Sequence, residues 1–414
     1  MTCDDGVLDP QQDASAGWTP PALVDVVFFD CQATGATPSH GHLLEAAWSG
    51  PDGCADTVVR LPAGASIPAR VSSLTGIGEA DLASGRSAGW VFAHLREALL
   101  PQWGATLGPA PAASPLALGT SPRAMVVHFA QFESRWLNAL WGAEAEVPFP
   151  VICTHEIARR LFPDLPSRGL RALAGYLGYD SPEPRRSRDH VAATRFIWSQ
   201  LFPELASRGL RDAGSVLEWV RVTPVPARSS AFAYRVPRER RLALPEGPGV
   251  YRFLGAQGEV LYVGKATCLR RRVNSYFQKR RGRADHKQEL VTRAHDLAVS
   301  QTGSPLEAAL LETDEIKRHD PVCNRALRPE GRAPVWSSPD LLSVAPTPDD
   351  KHTLGPWPRS PRAAGLLAAG CEDPDQLFTW GERWAPDAAV FTEGLRLFRA
   401  RYDVANTASL LRLG

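Results

Sequence analysis

The sequence predicts an α/β protein built from two units, and three observations carry that expectation. From residue 21 to about 220, short apolar runs alternate with stretches of helical periodicity. A compact block at 244–327 repeats the mixture on a smaller scale, opening with two short strands around a glycine-bearing turn. The composition changes outside these blocks: residues 222–243 mix Pro, Ser and Arg, and 329–361 hold eight prolines, which argues against a packed core there. A chain of 414 residues has room for two or three domains of roughly 100–200 residues each.

Taken in order, residues 1–20 read as a disordered tail, 21–221 as the first unit and 222–243 as a linker. The second unit is expected at 244–327, a Pro-rich linker at 328–361 and a helical C-terminal segment without assigned role at 362–414. The opening "MTCDDGVLDPQQDASAG" is acidic and polar, unlike a signal peptide. No apolar run approaches the roughly 18 residues of a membrane span, so no membrane partner is expected. The 7 cysteines contain no CxxC pair, which excludes the usual zinc and iron–sulfur spacings and suits a reducing cytoplasm. One echo, "LFPDLPSRGLR" at 161–171 and "LFPELASRGLR" at 201–211, reads as two helix ends followed by similar turns.

The strand "VVFFDCQATG" (26–35) sets the question for the first unit. Residues two apart in a strand face the same way, so Asp30 and Gln32 point together. Two carboxylates there would clamp a pair of divalent ions around a phosphodiester; here the second is an amide. "FFDCQATGATPSHGHLLEAAW" resembles the first motif of the DnaQ-like DEDD exonucleases. "IPARVSSLTGI" (67–77), "MVVHFAQFESRWL" (125–137) and "CTHEIARRLFPDLPSRGLRALAGYLG" (153–178) resemble later parts of the same family. The resemblance implies an RNase H-like mixed sheet with flanking helices.

The family's acids map incompletely. Asp30 is kept, Gln32 replaces the second acid, and Glu133 stands for the usual third Asp. In "RRSRDHVAAT" (185–194), Arg185 and His190 occupy the places of the family's His and Asp, with Asp189 displaced by one residue. Hard divalent ions prefer carboxylate and water oxygens, and an arginine cannot accept a proton at neutral pH. The expectation is therefore a lost exonuclease activity. A rebuilt site would have to use Asp30, Glu133 and either Asp189 or His190.

The second unit reads more clearly. "GVYRF" and "EVLYV" are short strands joined through "LGAQG", and "TCLRRRVNSYF" has helical spacing that puts Arg272 and Tyr276 on one face. "GSPLEAALLETDEIKRHDPVCN" (303–324) opens with Ser304, Pro305 and Glu307 as a helix start, leaving Glu312 on its own helical face. Together these segments resemble the GIY-YIG nuclease domain, most nearly that of UvrC and its relative Cho. The resemblance implies a small α/β domain and a role for each matched residue. Glu312 would hold one divalent ion, Mg2+ or Mn2+. Tyr262 would activate the attacking water, with Tyr251 as the competing candidate. Arg272 would stabilise the transition-state charge, Lys265 and Tyr276 would orient phosphate or water, and Gly249, Gly264 and Asn324 would be structural.

The whole chain has a formal charge of only +1, yet residues 262–293 hold ten Lys or Arg against two Asp or Glu. That local excess, which includes Arg270, Arg271, Lys279, Arg280, Arg281 and Arg283, points to contact with the phosphates of DNA. The resemblance further implies a bacterial endonuclease that nicks one strand in nucleotide excision repair, with a UvrB-like or other repair protein as partner. A 3′–5′ exonuclease with the second unit as helper is one alternative, and a non-catalytic DNA-binding scaffold is another. Loss of activity on Asp30→Ala would favour the first; tight binding without cleavage would favour the second.

Overall fold

The computed structural model describes residues 26–99, 123–142, 147–179, 184–229, 232–278 and 285–302, separate positions between 308 and 324, and the short strands 335–337 and 411–413. The expected tail, the basic residues Lys279, Arg280, Arg281 and Arg283, and the helix start at Ser304 to Glu307 lie outside the described residues. The chain divides into Met1–Phe232 and Ala233–Gly414.

In the first unit, β1 (Val26–Ala33), β2 (Leu43–Gly50) and β3 (Gly53–Val58) form an antiparallel meander. α1 (Ala69–Thr75), α2 (Glu79–Ala83) and α3 (Ala88–Leu99) lead to β4 (Ala124–Val127), α4 (Ala130–Trp141) and β5 (Val151–Cys153). β4 pairs parallel to β1 and β5 parallel to β4, which gives the order 3-2-1-4-5. This is the mixed sheet expected of an RNase H-like unit. α5 (Thr154–Leu161), α6 (Leu170–Leu177), α7 (Ser187–Ser207) and α8 (Ala213–Val222) follow.

Alternation along β1 separates two cores. Val26 and Phe28 pack with Ile197, Trp198 and Leu201 of α7, whereas Val27, Phe29 and Cys31 pack with Leu95 of α3 and Leu137 of α4. Asp30 and Gln32 continue the first parity and so face the layer that contains α7. The two echoed segments diverge: α5 stops at Leu161 before its proline, but α7 runs through Pro203 to Ser207.

In the second unit, α9 (Arg238–Leu242) precedes β6 (Gly249–Leu254) and β7 (Val260–Ala266). α10 (Leu269–Asn274), α11 (Asp285–Arg293) and β8 (Asp296–Gln301) complete an antiparallel sheet of order β7-β6-β8. Tyr251, Phe253, Leu269, Val273, Tyr276 and Phe277 form one core. Val250 and Val263 pack with Ala308 and Ile316 of the last helical segment to form another.

Three expectations need correction. Residues 233–243 are not a linker, because Val236 is 1% exposed within the second core. The helix carrying Arg272 ends at Asn274 with Ser275 as its cap, so Tyr276 sits in the turn beyond it. β9 (Val335–Ser337) and β10 (Leu411–Leu413) pair antiparallel, one inside the expected Pro-rich linker and the other inside the expected helical tail.

Candidate active site

The name-giving glycines of the second unit are required by close packing. A Cβ on Gly264 would lie 2.5 Å from the Tyr251 hydroxyl oxygen and 2.8 Å from Cε1 of Tyr262. A Cβ on Gly249 would meet the Ser300 carbonyl oxygen at 2.3 Å and Leu269 Cδ1 at 2.8 Å. Tyr251 and Tyr262 can therefore lean together across β6 and β7, their ring centroids 6.1 Å apart.

The hydroxyl groups form a chain. Arg272 Nε donates to Tyr251 Oη at 3.2 Å, and Tyr251 Oη lies 2.9 Å from Tyr276 Oη. Tyr262 lies next in line, its ring centroid 6.1 Å from that of Tyr276. The Arg272 guanidinium also stands 5.5 Å from the centroid of the Tyr276 ring. Burial raises the Tyr251 phenol above its ordinary pKa, with the neighbouring tyrosines adding to the effect. Burial also raises Tyr262, reinforced by Tyr276 and by the charge of Glu312. Tyr251 is fully enclosed, whereas Tyr262 keeps access to solvent.

Glu312 reaches this cluster from the other side of β7. β7 is an edge strand, and exposed edge amides need partners. Asn324 Nδ2 donates to the carbonyl of Val263 while its Oδ1 accepts that residue's N–H, both at 2.9 Å. One step along, the Lys265 N–H donates to Glu312 Oε1 at 3.0 Å, and Lys265 Nζ lies 2.9 Å from Oε2. The Glu312 side chain is 13% exposed.

The donor set fits magnesium or manganese. Among the described residues no three His, Cys, Asp or Glu side chains converge on one point. Magnesium is commonly held by one or two carboxylates with waters and substrate phosphates completing the shell. Glu312 supplies one carboxylate at the open edge of the tyrosine cluster. Arg270 and Arg271 are exposed on α10, with Arg270 paired to Glu246. A buried pair that sequence reading missed, Arg252 with Glu315, ties the last helical segment to β6.

In the first unit, Asp30, Glu133 and His190 come together and Asp189 does not. His190 Nδ1 stands 3.3 Å from Asp30 Oδ2, an ion-pair distance without hydrogen-bond alignment. The charge of Asp30 raises the His190 pKa against the opposing effect of burial. Glu133 is 4% exposed, its Oε2 lacks a hydrogen-bond partner, and burial beside Asp30 pushes its pKa up to about 9. Asp189 caps α7 instead, accepting from the Arg186 N–H at 3.2 Å. Gln32 Nε2 donates to the Arg185 carbonyl at 2.6 Å. Glu45, which pairs with Gln32 in the β1–β2 register, is 0% exposed and holds Arg186 Nε at 2.6 Å and the Ser187 N–H at 2.7 Å. An acid inside the apolar run "LLEAAW" was the available signal for Glu45. At the place of the second acid stands an amide already bonded to a carbonyl, which leaves Asp30 and Glu133 as the two carboxylates of the set.

Residues 247–325 match the UvrC-like GIY-YIG domain family. The UvrABC system protein C of Desulforudis audaxviator is 46% identical over 129 residues, 30% of this chain and 21% of that protein. The "Putative bifunctional exonuclease/endonuclease protein" of Mycobacterium tuberculosis is 30% identical over 254 residues, 59% of this chain and 38% of that one. Among solved structures, the magnesium-bound GIY-YIG N-terminal endonuclease domain of UvrC from Thermotoga maritima is 32% identical, with 21% of this chain and 93% of that chain covered and a TM-score of 0.19. Exonuclease X in complex with 5′ overhanging duplex DNA is 18% identical, with 47% and 99% covered and a TM-score of 0.32. The chain spans only 14–38% of the length of the first three curated relatives it matches.

Proposed function

We propose that this chain, which carries a UvrC-like GIY-YIG domain at residues 247–325, is a DNA endonuclease that hydrolyses one phosphodiester bond with a divalent ion. In this reading it makes a single-strand incision during nucleotide excision repair, with a UvrB-like or other repair protein as loader. One observation carries it: the Glu312 carboxylate, fixed on the edge of β7 by the Lys265 N–H, acts on Tyr262, which clusters with Tyr276, Tyr251 and the Arg272 guanidinium.

Glu312 would hold the ion, and magnesium or manganese bound there would supply Lewis-acid stabilisation of phosphate charge. Arg272 can only donate. Its bond to Tyr251 favours a chain in which Tyr251 donates to Tyr276 and Tyr276 to Tyr262. Tyr262 then has an oxygen that accepts from inside and a proton that points out. As the least buried end of the chain, it meets the attacking water, and Tyr251 serves to transmit the influence of Arg272. The free face of the guanidinium suits the oxygens of the transferring phosphate. Lys265 orients the Glu312 carboxylate and the phosphate beside it.

We assign no exonuclease activity to the first unit, because Gln32 and Arg185 remove the second acid and the base. The test is incision of a lesion-bearing duplex in magnesium, with and without UvrA and UvrB. Tyr262→Phe, Arg272→Ala and Glu312→Gln should each lower nicking by at least about 100-fold, as expected when one transition-state donor or metal ligand is lost. Asp30→Ala should leave it unchanged. Nicking that survives the first three and fails in the fourth would overturn the assignment.

A further inference from the structure

One lysine of the second unit occupies a place that packing would give to an apolar side chain. Along α11, Leu290, Val291 and Ala294 enter the core that holds Tyr251 and Tyr276. Lys287 lies three, four and seven positions before them, so it continues the same stripe toward the start of the helix. It is half-buried there. The macrodipole opposes a cation in the first turn of a helix, so helix electrostatics do not favour it at this position. Its stem can cover apolar surface while the charged head reaches the rim. That head, Nζ, stands 6.0 Å from the centroid of the Tyr276 ring. The Arg272 guanidinium stands 5.5 Å from the same centroid.

Tyr276 is buried, and its hydroxyl lies 2.9 Å from that of Tyr251, so both cations sit on a ring of the tyrosine cluster itself. Three other cations of this unit are already paired: Lys265 with Glu312, Arg270 with Glu246 and Arg293 with Glu289. Among the described residues the Lys287 ammonium meets no carboxylate; its partner is the ring. A cation–π contact holds an ammonium without neutralising it, so its charge remains available to an anion. A lysine head has three N–H donors and no acceptor, which suits phosphate oxygens. In hydrolysis the water oxygen joins phosphorus, the bond to the leaving sugar oxygen breaks, and negative charge gathers on the nonbridging oxygens. Fixed donors aimed at that charge speed the reaction, and no proton needs to leave Lys287.

We propose that Lys287 is a further catalytic residue of this site, its ammonium meeting a nonbridging oxygen of the scissile phosphate beside Arg272. This rests on the reading of the second unit as a nuclease. The full chain is assayed in magnesium on the lesion-bearing duplex with UvrA and UvrB, in single turnover at saturating protein. Binding to an undamaged duplex is measured separately in EDTA over a range of salt. Lys287→Met keeps the stem and removes the charge. It should lower the saturated nicking rate by about 100-fold, as for one lost transition-state donor. It should also reduce the slope of log K against log salt by about 0.9. Its melting temperature should not fall, because methionine extends the apolar stripe. Lys287→Arg, which keeps the charge, should recover most of both the rate and the slope. A saturated rate unchanged in Lys287→Met would overturn the proposal, and so would a rate lost equally in Lys287→Arg. A reduced slope with the rate intact would move Lys287 to a flanking phosphate and overturn its catalytic role. A parent chain that does not nick would refute the underlying reading instead; an unchanged slope in Lys287→Met would refute the phosphate contact by itself.

Discussion

Gln32 stands where the motif of the first unit would carry its second acid. Its amide donates to the Arg185 carbonyl, so Gln32→Glu would set a carboxylate against a carbonyl, two acceptors with no proton between them. That substitution alone is expected to leave 3′–5′ degradation of single-stranded DNA at background and to lower stability by about 1–3 kcal/mol; recovered exonuclease activity would refute this. Glu133 carries a pH signature. Its folded pKa, about 9 through burial and the charge of Asp30, lies above the ordinary carboxyl value of about 4.3. The stability linked to its proton is complete below that ordinary value and is lost as pH rises through the folded one. His190, raised by Asp30, works in the same direction above about pH 6.5. Urea denaturation of Glu133→Gln between pH 5 and 9 should therefore show a shallower decline in stability than the parent. Asp30 and Gln32 were legible as a pair because strand parity is local. The pairing of Glu45 was not, since Arg186 lies 141 residues away. Asp189 stood as the alternative to His190 because an acid in the first turn of a helix looks the same in sequence whether it caps, as it does here, or coordinates.

At the level of the element, β7 explains why the second site was readable. Its glycine, its tyrosine and the distant Asn324 each answer a fixed requirement of one edge strand: room for a ring, a hydroxyl at the open end, and partners for edge amides. Gly264→Ala should drive Tyr251 out of line and abolish nicking while the protein stays folded, as circular dichroism would report. Asn324→Ala should leave both Val263 backbone groups unpartnered and cost about 1–3 kcal/mol. Hydrogen exchange at the Val263 amide would rise accordingly. Helical periodicity overran the end of α10 because the turn at Ser275–Phe277 keeps Tyr276 and Phe277 facing the same core that a longer helix would have faced. The Arg252–Glu315 pair escaped notice because the strand and the helix that join it are 63 residues apart.

At the scale of the molecule, a net charge of +1 conceals a strongly basic segment at 262–293. DNA binding should therefore weaken steeply with salt, and Arg271→Ala should reduce the slope of log K against log salt by about 0.9, the value for one phosphate contact. An unchanged slope would remove Arg271 from the interface. The two-unit plan was visible in composition, but its boundary was not, because Pro and Arg mark linkers as readily as they mark a strap laid over a core. That strap has a practical consequence. Asn274 Nδ2 donates to the Arg241 carbonyl, the Arg270 N–H to that of Pro245, and the Tyr234 hydroxyl to that of Phe277. A recombinant fragment trimmed to the homologous stretch at residue 247 would strip the packing from Phe277 and unmoor α10, the helix that bears Arg272. Anyone isolating the second unit should begin at or before Ala233, or an inert preparation would say nothing about the proposed activity.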